Sequence, residues 1–398
     1  MTDSLTRAKD LLSGAPLVDG HNDLLYAMRE RVGYDFDKCD IAERQPGLHT
    51  DIPRLREGRL SVQFWSVYVP SSLQGDAAVA RTLEQIEALH QMVARYPDTF
   101  ELAYTANDVE RAFGAGQIAS LAGMEGGHSI ACSLGTLRAM YRLGARYMTL
   151  THNDNTPWAD SATDTAKAHG LTAFGREVVR EMNRLGMLVD LSHVSPDTMR
   201  AALDATEAPV VFSHSSCRAI CDVPRDVPDD VLERLPGNGG VCMLTFVPAF
   251  VSQQVVDYRE QAATAARQAG VRKPRAWYDQ ETKAFYAKYE VEHPPPKATV
   301  AQVADHVEHA RALAGPDHIG VGGDYDGVDA LPEGLEDVGQ YPALFAELID
   351  RGWSDEDLTK LAGRNALRVL RDAERVAARL QVERGPSLAT IEELDQTG

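Results

Sequence analysis

The sequence has few cysteines, a deficit of basic residues and no long hydrophobic run. Five irregularly spaced cysteines in 398 residues argue against a disulfide-stapled protein and are typical of reduced thiols in the cytoplasm. The most apolar run, residues 241–251, is too short to span a bilayer, and the charged first sixteen residues do not resemble a signal peptide. We therefore expect a cytoplasmic protein without a membrane partner.

Acidic residues outnumber basic ones, with 59 Asp and Glu against 40 Lys and Arg and a formal net charge of −19. Binding to nucleic acid or anionic lipid depends on clustered Lys and Arg that neutralise phosphate. The composition thus argues against a nucleic-acid partner. Hydrophobic residues at 44% and charged residues at 25% are ordinary for a globular chain, which argues against disorder.

Short apolar runs alternate with helical patterns along the chain. Eight runs predict strands, at residues 16–21, 60–69, 118–125, 147–152, 187–193, 209–214, 239–247 and 318–324. Helical spacing follows at residues 77–96, 134–143, 173–185, 196–203 and 300–314. This alternation predicts an α/β fold, a (β/α)8 TIM barrel.

The barrel prediction gives the chain a simple domain organisation. We expect a single domain over residues 1–398, with the barrel at about 16–372 and a C-terminal helical tail at 373–398. Two segments exceed ordinary barrel loops. The lip segment (residues 33–59) is expected at the barrel mouth, and the helical insertion (residues 252–298) lies between the seventh and eighth predicted strands.

Histidines and carboxylates stand at the ends of several predicted strands. His21 and Asp23 end the first strand, and their two-residue spacing points them the same way from an extended chain. Three further residues end the third, fifth and sixth strands: Glu125, His193 and His214. All C-terminal strand ends of a parallel barrel share one rim. One such histidine alone is more often a hydrogen-bonded core residue, but the whole set favours a metal site.

Strand alternation predicts how these ligands arise. Val189 and Leu191 share the parity of His193, and the apolar residues before His214 follow the same pattern. We expect the side chains on one face of each strand to pack in the core, and only those at the rim to serve as metal ligands.

Imidazoles and carboxylates together suit zinc. Five ligands exceed the usual three of a catalytic zinc, so a two-metal site fits better. A shared Glu125 gives each ion three ligands: His21, Asp23 and Glu125 for one, and Glu125, His193 and His214 for the other. We expect two Zn²⁺ per chain, with a hydroxide between ions about 3.5–4 Å apart as the nucleophile.

The eighth predicted strand ends in a glycine-rich acidic segment, Gly322-Gly323-Asp324-Tyr325-Asp326-Gly327. Asp324 falls on the predicted metal rim, where a carboxylate can take a proton from water and pass it to a leaving amine. An ordinary turn residue, or a partner of a ligand, is the alternative interpretation. Asp326 is interpreted as a turn residue.

The ordered set of motifs resembles the renal or membrane dipeptidase family of the amidohydrolase superfamily. The resemblance covers about residues 16–372 and rests on His21-Asn22-Asp23, Glu125-Gly126, Leu150-Thr151-His152, His193, His214 and the segment 322–327. It implies a (β/α)8 barrel with two zinc ions that hydrolyses dipeptides, including those with a C-terminal D-residue. A homodimer is the assembly that it suggests.

The resemblance also implies roles for individual residues. Glu125 bridges the ions, Asp324 carries the proton, and His152 polarises the scissile carbonyl or stabilises the oxyanion. Arg225 binds the terminal carboxylate of the substrate, and a guanidinium is well suited to a planar carboxylate. Animal members place a Tyr where this chain has Val247, so a carboxylate contact from that position is not expected.

Two other functions remain open at this point. One is another amidohydrolase-type amide or lactone hydrolase, and the other is a metal-binding barrel without catalysis. Phosphotriesterase-like enzymes carry a modified Lys on strand four, and deaminases begin with His-X-His, whereas this chain has His152 and His-X-Asp. The presence of His152 and Asp324 beyond the ligands favours a metal-dependent dipeptidase.

Overall fold

The computed structural model describes residues 3–272 and 280–395, and their strands form a closed parallel barrel. All neighbouring strands run parallel, and the pairing of β2 with β4 closes a ring of eight. The strands are β1 (Leu17–Asn22), β2 (Leu60–Tyr68), β3 (Phe100–Leu102), β4 (Ile118–Glu125), β5 (Ala145–Thr149), β6 (Leu188–Asp190), β7 (Val211–Ser215), β8 (Val241–Leu244) and β9 (Ile319–Val321). The predicted barrel is confirmed.

Helices surround the ring and connect its strands. They are α1 (Ser4–Gly14), α2 (Leu24–Val32), α3 (Ile52–Glu57), α4 (Asp76–Arg95), α5 (Ala106–Gly114), α6 (Leu134–Leu143), α7 (Ala173–Leu185), α8 (Pro196–Ala205), α9 (Asp229–Leu232), α10 (Leu235–Asn238), α11 (Pro248–Val251), α12 (Gln253–Gln268), α13 (Gln280–Glu292), α14 (Val300–Ala314), α15 (Tyr341–Asp350), α16 (Asp355–Thr359), α17 (Asn365–Glu383) and α18 (Ile391–Leu394). All five predicted helices are present. Within residues 3–272 and 280–395, no helix has both the length and the apolar character needed to cross a membrane.

Local capping signals set the helix ends. The Thr172 side chain accepts from the backbone at the start of α7, and Gly186 ends that helix with a left-handed φ of 84°. Thr299 and Gln302 form a capping box at the start of α14. Such caps satisfy backbone groups that the helix itself leaves without partners. They explain why the sequence fixes the boundaries of these helices closely.

Apolar side chains from around the ring fill the barrel interior. This inner cluster includes Val18, Phe64, Leu121, Tyr147, Leu188, Val211 and Met243 from the strands, and Leu367 and Leu370 from α17. A larger outer cluster joins the other faces of the strands to the surrounding helices. Since α17 packs at the end of the barrel where β1 begins, the opposite, C-terminal end is left for polar groups.

The two long segments differ from ordinary loops, as expected. The lip segment includes α3 and lies against the C-terminal rim, where the His49 N–H donates to Asp326 Oδ1 at 2.7 Å and the Asp326 N–H donates to His49 Nδ1 at 3.0 Å. The helical insertion forms α12 and α13, which pack through Ala266 and Tyr286. The connection between these two helices, residues 273–279, lies outside the described residues.

Candidate metal centre

Seven of the predicted site residues converge at the C-terminal end of the barrel, around the carboxylate of Glu125. They are His21, Asp23, Glu125, His152, His193, His214 and Asp324, all of them buried except His152, whose side chain is 11% exposed. Residues up to 303 positions apart in the chain thus come together, because they lie at or just beyond the C-terminal ends of six strands of the ring. The structure brings these side chains together at one rim, as the sequence pattern predicts.

The two carboxylate oxygens of Glu125 face different partners. Oε2 lies 3.5 Å from His21 Nε2. Oε1 lies 2.9 Å from His193 Nε2 and 3.5 Å from His214 Nε2. His152 Nε2 is further away, 3.9 Å from the same Oε1. The two oxygens of this carboxylate therefore face different imidazoles, His21 on one side and the other three on the opposite side.

Two further carboxylates border the group on the His21 side. Asp23 Oδ2 lies 3.2 Å from His21 Nε2, and Asp324 Oδ1 lies 4.0 Å from the same nitrogen. Three sets of ligand atoms each lie within 4.8 Å of one another: His21, Glu125 and His214; Glu125, His152 and His193; and His21, Asp23 and Asp324. These sets overlap at His21 and Glu125, so the donors form one continuous centre.

Glu125 reaches the centre by ordinary strand alternation, whereas the histidines do not. Leu121 belongs to the inner cluster and shares the parity of Glu125. Val189 and Leu191, which share the parity of His193, belong instead to the outer cluster. The prediction that this face of the strand turns directly from packing to ligation is therefore wrong.

Local departures from strand geometry carry the histidines inward. β6 ends at Asp190, three residues before His193, and His193 has a left-handed φ of 67°. Register shifts interrupt β1 before Asn22 and β7 between Phe212 and Ser215, close to His21 and His214. A non-glycine residue at positive φ is strained, and such strain concentrates at functional sites. Asp324 shares this conformation, with φ of 62°.

The donor atoms of the centre fit divalent metal ions. His193 Nε2 and His214 Nε2 face each other at 3.0 Å. His21 Nε2 is buried without a hydrogen-bond partner among the described residues. Ring nitrogens and carboxylate oxygens directed at one buried space would leave lone pairs unsatisfied unless a cation or protons lay between them. Imidazole and carboxylate are the ligand types that borderline divalent ions take.

The electrostatic environment gives Glu125, His193 and His214 the protonation states that metal ligands need. At His21, by contrast, burial would lower the pKa, but the neighbouring Tyr147, Glu125 and Asp23 outweigh burial and raise the pKa well above its ordinary value. Burial alone would raise the pKa of Glu125, but the charge of His21 and a hydrogen bond from His193 hold it well below its ordinary value. Burial, reinforced by the charge of Arg225, holds the pKa values of His193 and His214 well below theirs. A carboxylate and two neutral imidazoles result, and these are the forms that bind metal.

Asp324 and His152 have perturbed environments of a different kind. Burial raises the pKa of Asp324 well above its ordinary value, and the neighbouring carboxylates of Asp23 and Glu125 add to that shift. Burial lowers the pKa of His152, so its ring is neutral. A carboxyl group that holds a proton readily suits general acid and base chemistry, and a neutral imidazole suits hydrogen bonding to a carbonyl.

Arg225 lies beside the candidate ligand His214 and is only 3% exposed. Its Nη1 donates to Ser215 Oγ at 2.8 Å, and its Nη2 donates to the His214 carbonyl at 3.1 Å. Nε is buried without a partner among the described residues. The ring of Phe250 lies 5.4 Å from the guanidinium carbon. A fixed guanidinium with an unused donor is suited to a carboxylate that arrives from outside the protein.

Sequence reasoning missed the polar residues that support the ligands. His21 Nδ1 lies 2.8 Å from the Tyr147 hydroxyl, and Ser66 Oγ donates to Glu125 Oε2 at 3.3 Å. Asp190 and Ser213 lie beneath the histidines, inside the ring. The sequence signal that could have identified these residues is a polar side chain within an otherwise apolar strand, at a position that alternates in step with the residues of the inner cluster.

Comparisons with known proteins find similarity to dipeptidases over most of the chain. The family model described as membrane dipeptidase (peptidase family M19) matches residues 5–384. Dipeptidase verJ of Clonostachys rogersoniana is 39% identical over 392 residues, which cover 96% of this chain and 90% of that protein. Two solved structures share the fold. The probable dipeptidase PvdM from Pseudomonas aeruginosa has 23% identity and a TM-score of 0.81, over 94% of this chain and 99% of that one. A Rhodobacter sphaeroides metallo peptidase, liganded with a phosphinate mimic of L-Ala-D-Ala, has 23% identity and a TM-score of 0.74, over 90% and 99%.

Proposed function

The chain belongs to the membrane dipeptidase family, peptidase family M19, and from this premise we propose that it is a binuclear zinc dipeptidase acting on both L,L- and L,D-dipeptides. Membership makes it a metal-dependent hydrolase of dipeptides. The proposal adds the metal, the count of two ions, the stereochemical range and the roles of the residues.

Five side chains would hold the two ions. His21, Asp23 and Glu125 would serve one ion, and Glu125, His193 and His214 would serve the other. When bound, divalent ions would supply Lewis acidity toward the scissile carbonyl and lower the pKa of an attacking water from 15.7 toward about 7. The two directions in which the Glu125 oxygens point support its role as the shared ligand.

Asp324 moves the proton in the proposed reaction. Its carboxylate takes a proton from the attacking water as general base, and it then delivers that proton to the leaving amine as general acid. The raised pKa supports this role, since a group that binds a proton more readily than an ordinary aspartate is the better base. Its position next to Asp23, at the edge of the donor group, supports access to both partners.

His152 and Arg225 orient the substrate. His152 Nε2 points into the centre and donates a hydrogen bond to the scissile carbonyl, where negative charge develops in the transition state. Arg225 receives the terminal carboxylate through its unused Nε. Because Arg225 adjoins the backbone of the candidate ligand His214, a carboxylate bound there would belong to a short peptide, which supports dipeptides as substrates.

The convergence of two potential ligand sets on the two oxygens of Glu125 carries the proposal. A library of L,L- and L,D-dipeptides tests it, assayed on the zinc-loaded protein with matched C-terminally amidated peptides as controls. We expect hydrolysis of free dipeptides of both series and little or none of the amides. Hydrolysis of lactones or of other amides, with no dipeptide cleaved, would point to a different amidohydrolase activity. No turnover of any substrate by a protein with full metal content would point to a metal-binding barrel without catalysis.

We also propose a cytoplasmic location and a homodimeric state. All five cysteines are free, which is typical of reducing compartments. The dimer rests on the resemblance to the family alone. Cell fractionation tests the location, and light scattering of the purified protein tests the dimer, which predicts about twice the 43.5 kDa mass of the chain.

A further inference from the structure

The buried carboxylate of Asp190 lies directly beneath the metal centre, and it is not hydrogen-bonded directly to the side chain of a candidate ligand residue. Asp190 is fully buried and ends β6. Its Oδ2 accepts from Thr149 Oγ1 at 2.5 Å and from Ser213 Oγ at 2.6 Å. Its Oδ1 accepts from the backbone N–H groups of Ser213 at 2.8 Å and Ser192 at 3.1 Å. Four donors thus satisfy the oxygens of this buried carboxylate.

The hydroxyl of Ser213 connects this carboxylate to a candidate ligand. Ser213 Oγ lies 2.8 Å from His214 Nδ1. A serine hydroxyl has one proton, and an ionised carboxylate only accepts. Because the Ser213 proton is directed to Asp190, the oxygen is left to accept from His214. The chain of hydrogen bonds therefore runs from His214 Nδ1–H to Ser213 and on to Asp190.

We propose that Asp190 and Ser213 are positioning residues of the metal centre, which hold His214 in the tautomer protonated at Nδ1 and leave the lone pair of Nε2 for metal. The role of this tautomer in metal binding rests on the proposed function. The tautomer itself does not, because the directions of the hydrogen bonds determine it. A ligand histidine whose other nitrogen is held in this way loses less entropy on binding and binds more strongly.

A similar arrangement supports His21 on the other side of the centre. Its Nδ1 lies 2.8 Å from the Tyr147 hydroxyl, which donates its own proton to the Gly20 carbonyl at 3.2 Å. Tyr147 must then accept from His21. The polar groups just beneath the rim thus direct two ligand rings in the same sense, with Nδ1 protonated and Nε2 toward Glu125.

Replacement of Asp190 by asparagine is expected to reverse the direction of the hydrogen bonds that join residue 190, Ser213 and His214. The two backbone donors keep an oxygen at the Oδ1 position, so the amide nitrogen of Asp190→Asn must occupy the Oδ2 position and donate to Ser213. The Ser213 proton then turns to His214 Nδ1, and the ring carries its proton on Nε2. Reversed tautomers of this kind disable a histidine while leaving its geometry intact.

The test measures zinc affinity and the His214 tautomer in the full-length protein. Zinc affinity is obtained by competition with a chromophoric chelator for the wild type and the variants Ser213→Ala, Asp190→Asn and Thr149→Val. Thr149→Val is the matched control, because the Thr149 hydroxyl donates to the same oxygen of Asp190, while Thr149 meets the candidate ligand Glu125 only through the backbone pairing of β4 and β5 within the described residues. The tautomer is read from two-bond ¹⁵N–¹H correlations of histidine-labelled protein, with the His214 signals assigned by their loss in His214→Gln.

We expect Ser213→Ala to weaken zinc binding by about 10- to 100-fold, the range typical of lost partners of metal ligands. Asp190→Asn should weaken it at least as much and move the His214 proton to Nε2, and Thr149→Val should leave both readouts near the wild type. A wild-type His214 protonated at Nε2, or equal loss of affinity in Thr149→Val and Ser213→Ala, would overturn the proposal. A wild type that binds no zinc, yet shows the Nδ1 tautomer, would contradict the proposed function and leave the positioning role standing.

Discussion

Asp324 has a backbone conformation that asparagine tolerates, with φ of 62°, and Asp324→Asn therefore removes a proton acceptor with little strain. We expect kcat to fall by about 10²- to 10⁴-fold, the usual contribution of a general acid and base. Zinc content, measured by elemental analysis, should be unchanged because Asp324 is not one of the proposed ligands.

The exposed Asp329 in the same loop provides a control. Asp329→Asn should retain wild-type turnover. Loss of both zinc ions from Asp324→Asn would show that this carboxylate holds metal, contrary to the assignment of proton transfer.

The proposed contact between Arg225 and the terminal carboxylate of the substrate is tested by comparing free dipeptides with an amidated analogue. Arg225→Met should raise KM for free dipeptides by about 30-fold or more, since loss of a buried, charged partner costs about 2–5 kcal/mol. The change should have little effect on the weak hydrolysis of a C-terminally amidated analogue. Arg218→Met is the matched control, because Arg218 lies seven residues earlier and pairs with Asp222 at the surface. Equal effects of Arg225→Met on both substrates would exclude the carboxylate contact.

At the residue scale, the sequence identifies what reaches the centre but not what supports it. His21, Glu125 and His214 could be found because they end predicted strands whose C-terminal ends must meet. The hydrogen bonds of Ser213 and Asp190 could not, since they depend on register and on the direction of individual protons. The parity argument for His193 failed because that residue lies beyond the end of β6 and has a left-handed backbone.

At the scale of secondary-structure elements, helices were predicted more closely than strands. The bounds of α6, α7 and α14 agree with the sequence pattern, because a side chain caps the start of each and a glycine follows its end. The three-residue strand β3 was missed because it is too short for a periodic pattern and pairs only with β4. The strands β5 and β6 end before the predicted positions, where the chain turns inward toward the centre.

His306 joins three elements and predicts a pH dependence of stability. Within α14, its ring accepts from the Cys217 N–H and donates to the Val251 carbonyl, both at 3.0 Å. Burial lowers the pKa of His306 to about 4, against about 6.5 in an unfolded chain. Above pH 6.5 both states are neutral. Below it the unfolded chain takes up the proton first, so stability falls as the pH decreases from 6.5 to about 4.

The loss attributable to His306 amounts to about 3 kcal/mol, at about 1.4 kcal/mol per unit of pKa. Urea unfolding of the wild type and His306→Gln at pH 7.5 and pH 4.5 measures it, and the difference between the two proteins cancels the contributions of other groups. We expect the wild type to lose more stability than the variant over this interval. Parallel losses in the two proteins would mean that His306 is not held neutral by the fold.

At the scale of the whole molecule, we propose that residues 1–398 form one domain. Helix α17 runs across the predicted boundary at residue 372, and its Leu367 and Leu370 pack with the strands of the barrel. The end of the described chain is also attached, since Asp395 accepts from Thr172 Oγ1 at 2.6 Å at the start of α7. These contacts argue against a separate tail.

A single domain predicts a single cooperative unfolding transition. Circular dichroism reports the helices, and the fluorescence of buried Trp65 and Trp158 reports the barrel and the rim. The two signals of the zinc-loaded protein should change at the same guanidinium concentration. Separate transitions would divide the chain into independent units.

The central claim is a pair of zinc ions that share Glu125, and anomalous diffraction from crystals of the zinc-loaded protein tests it most directly. Difference maps from data collected on either side of the zinc edge should contain two peaks at the barrel rim. Each peak should lie about 2.0–2.2 Å from one oxygen of Glu125, one beside His21 and the other beside His193 and His214. A single peak at the rim, or two peaks of which only one contacts Glu125, would contradict the account.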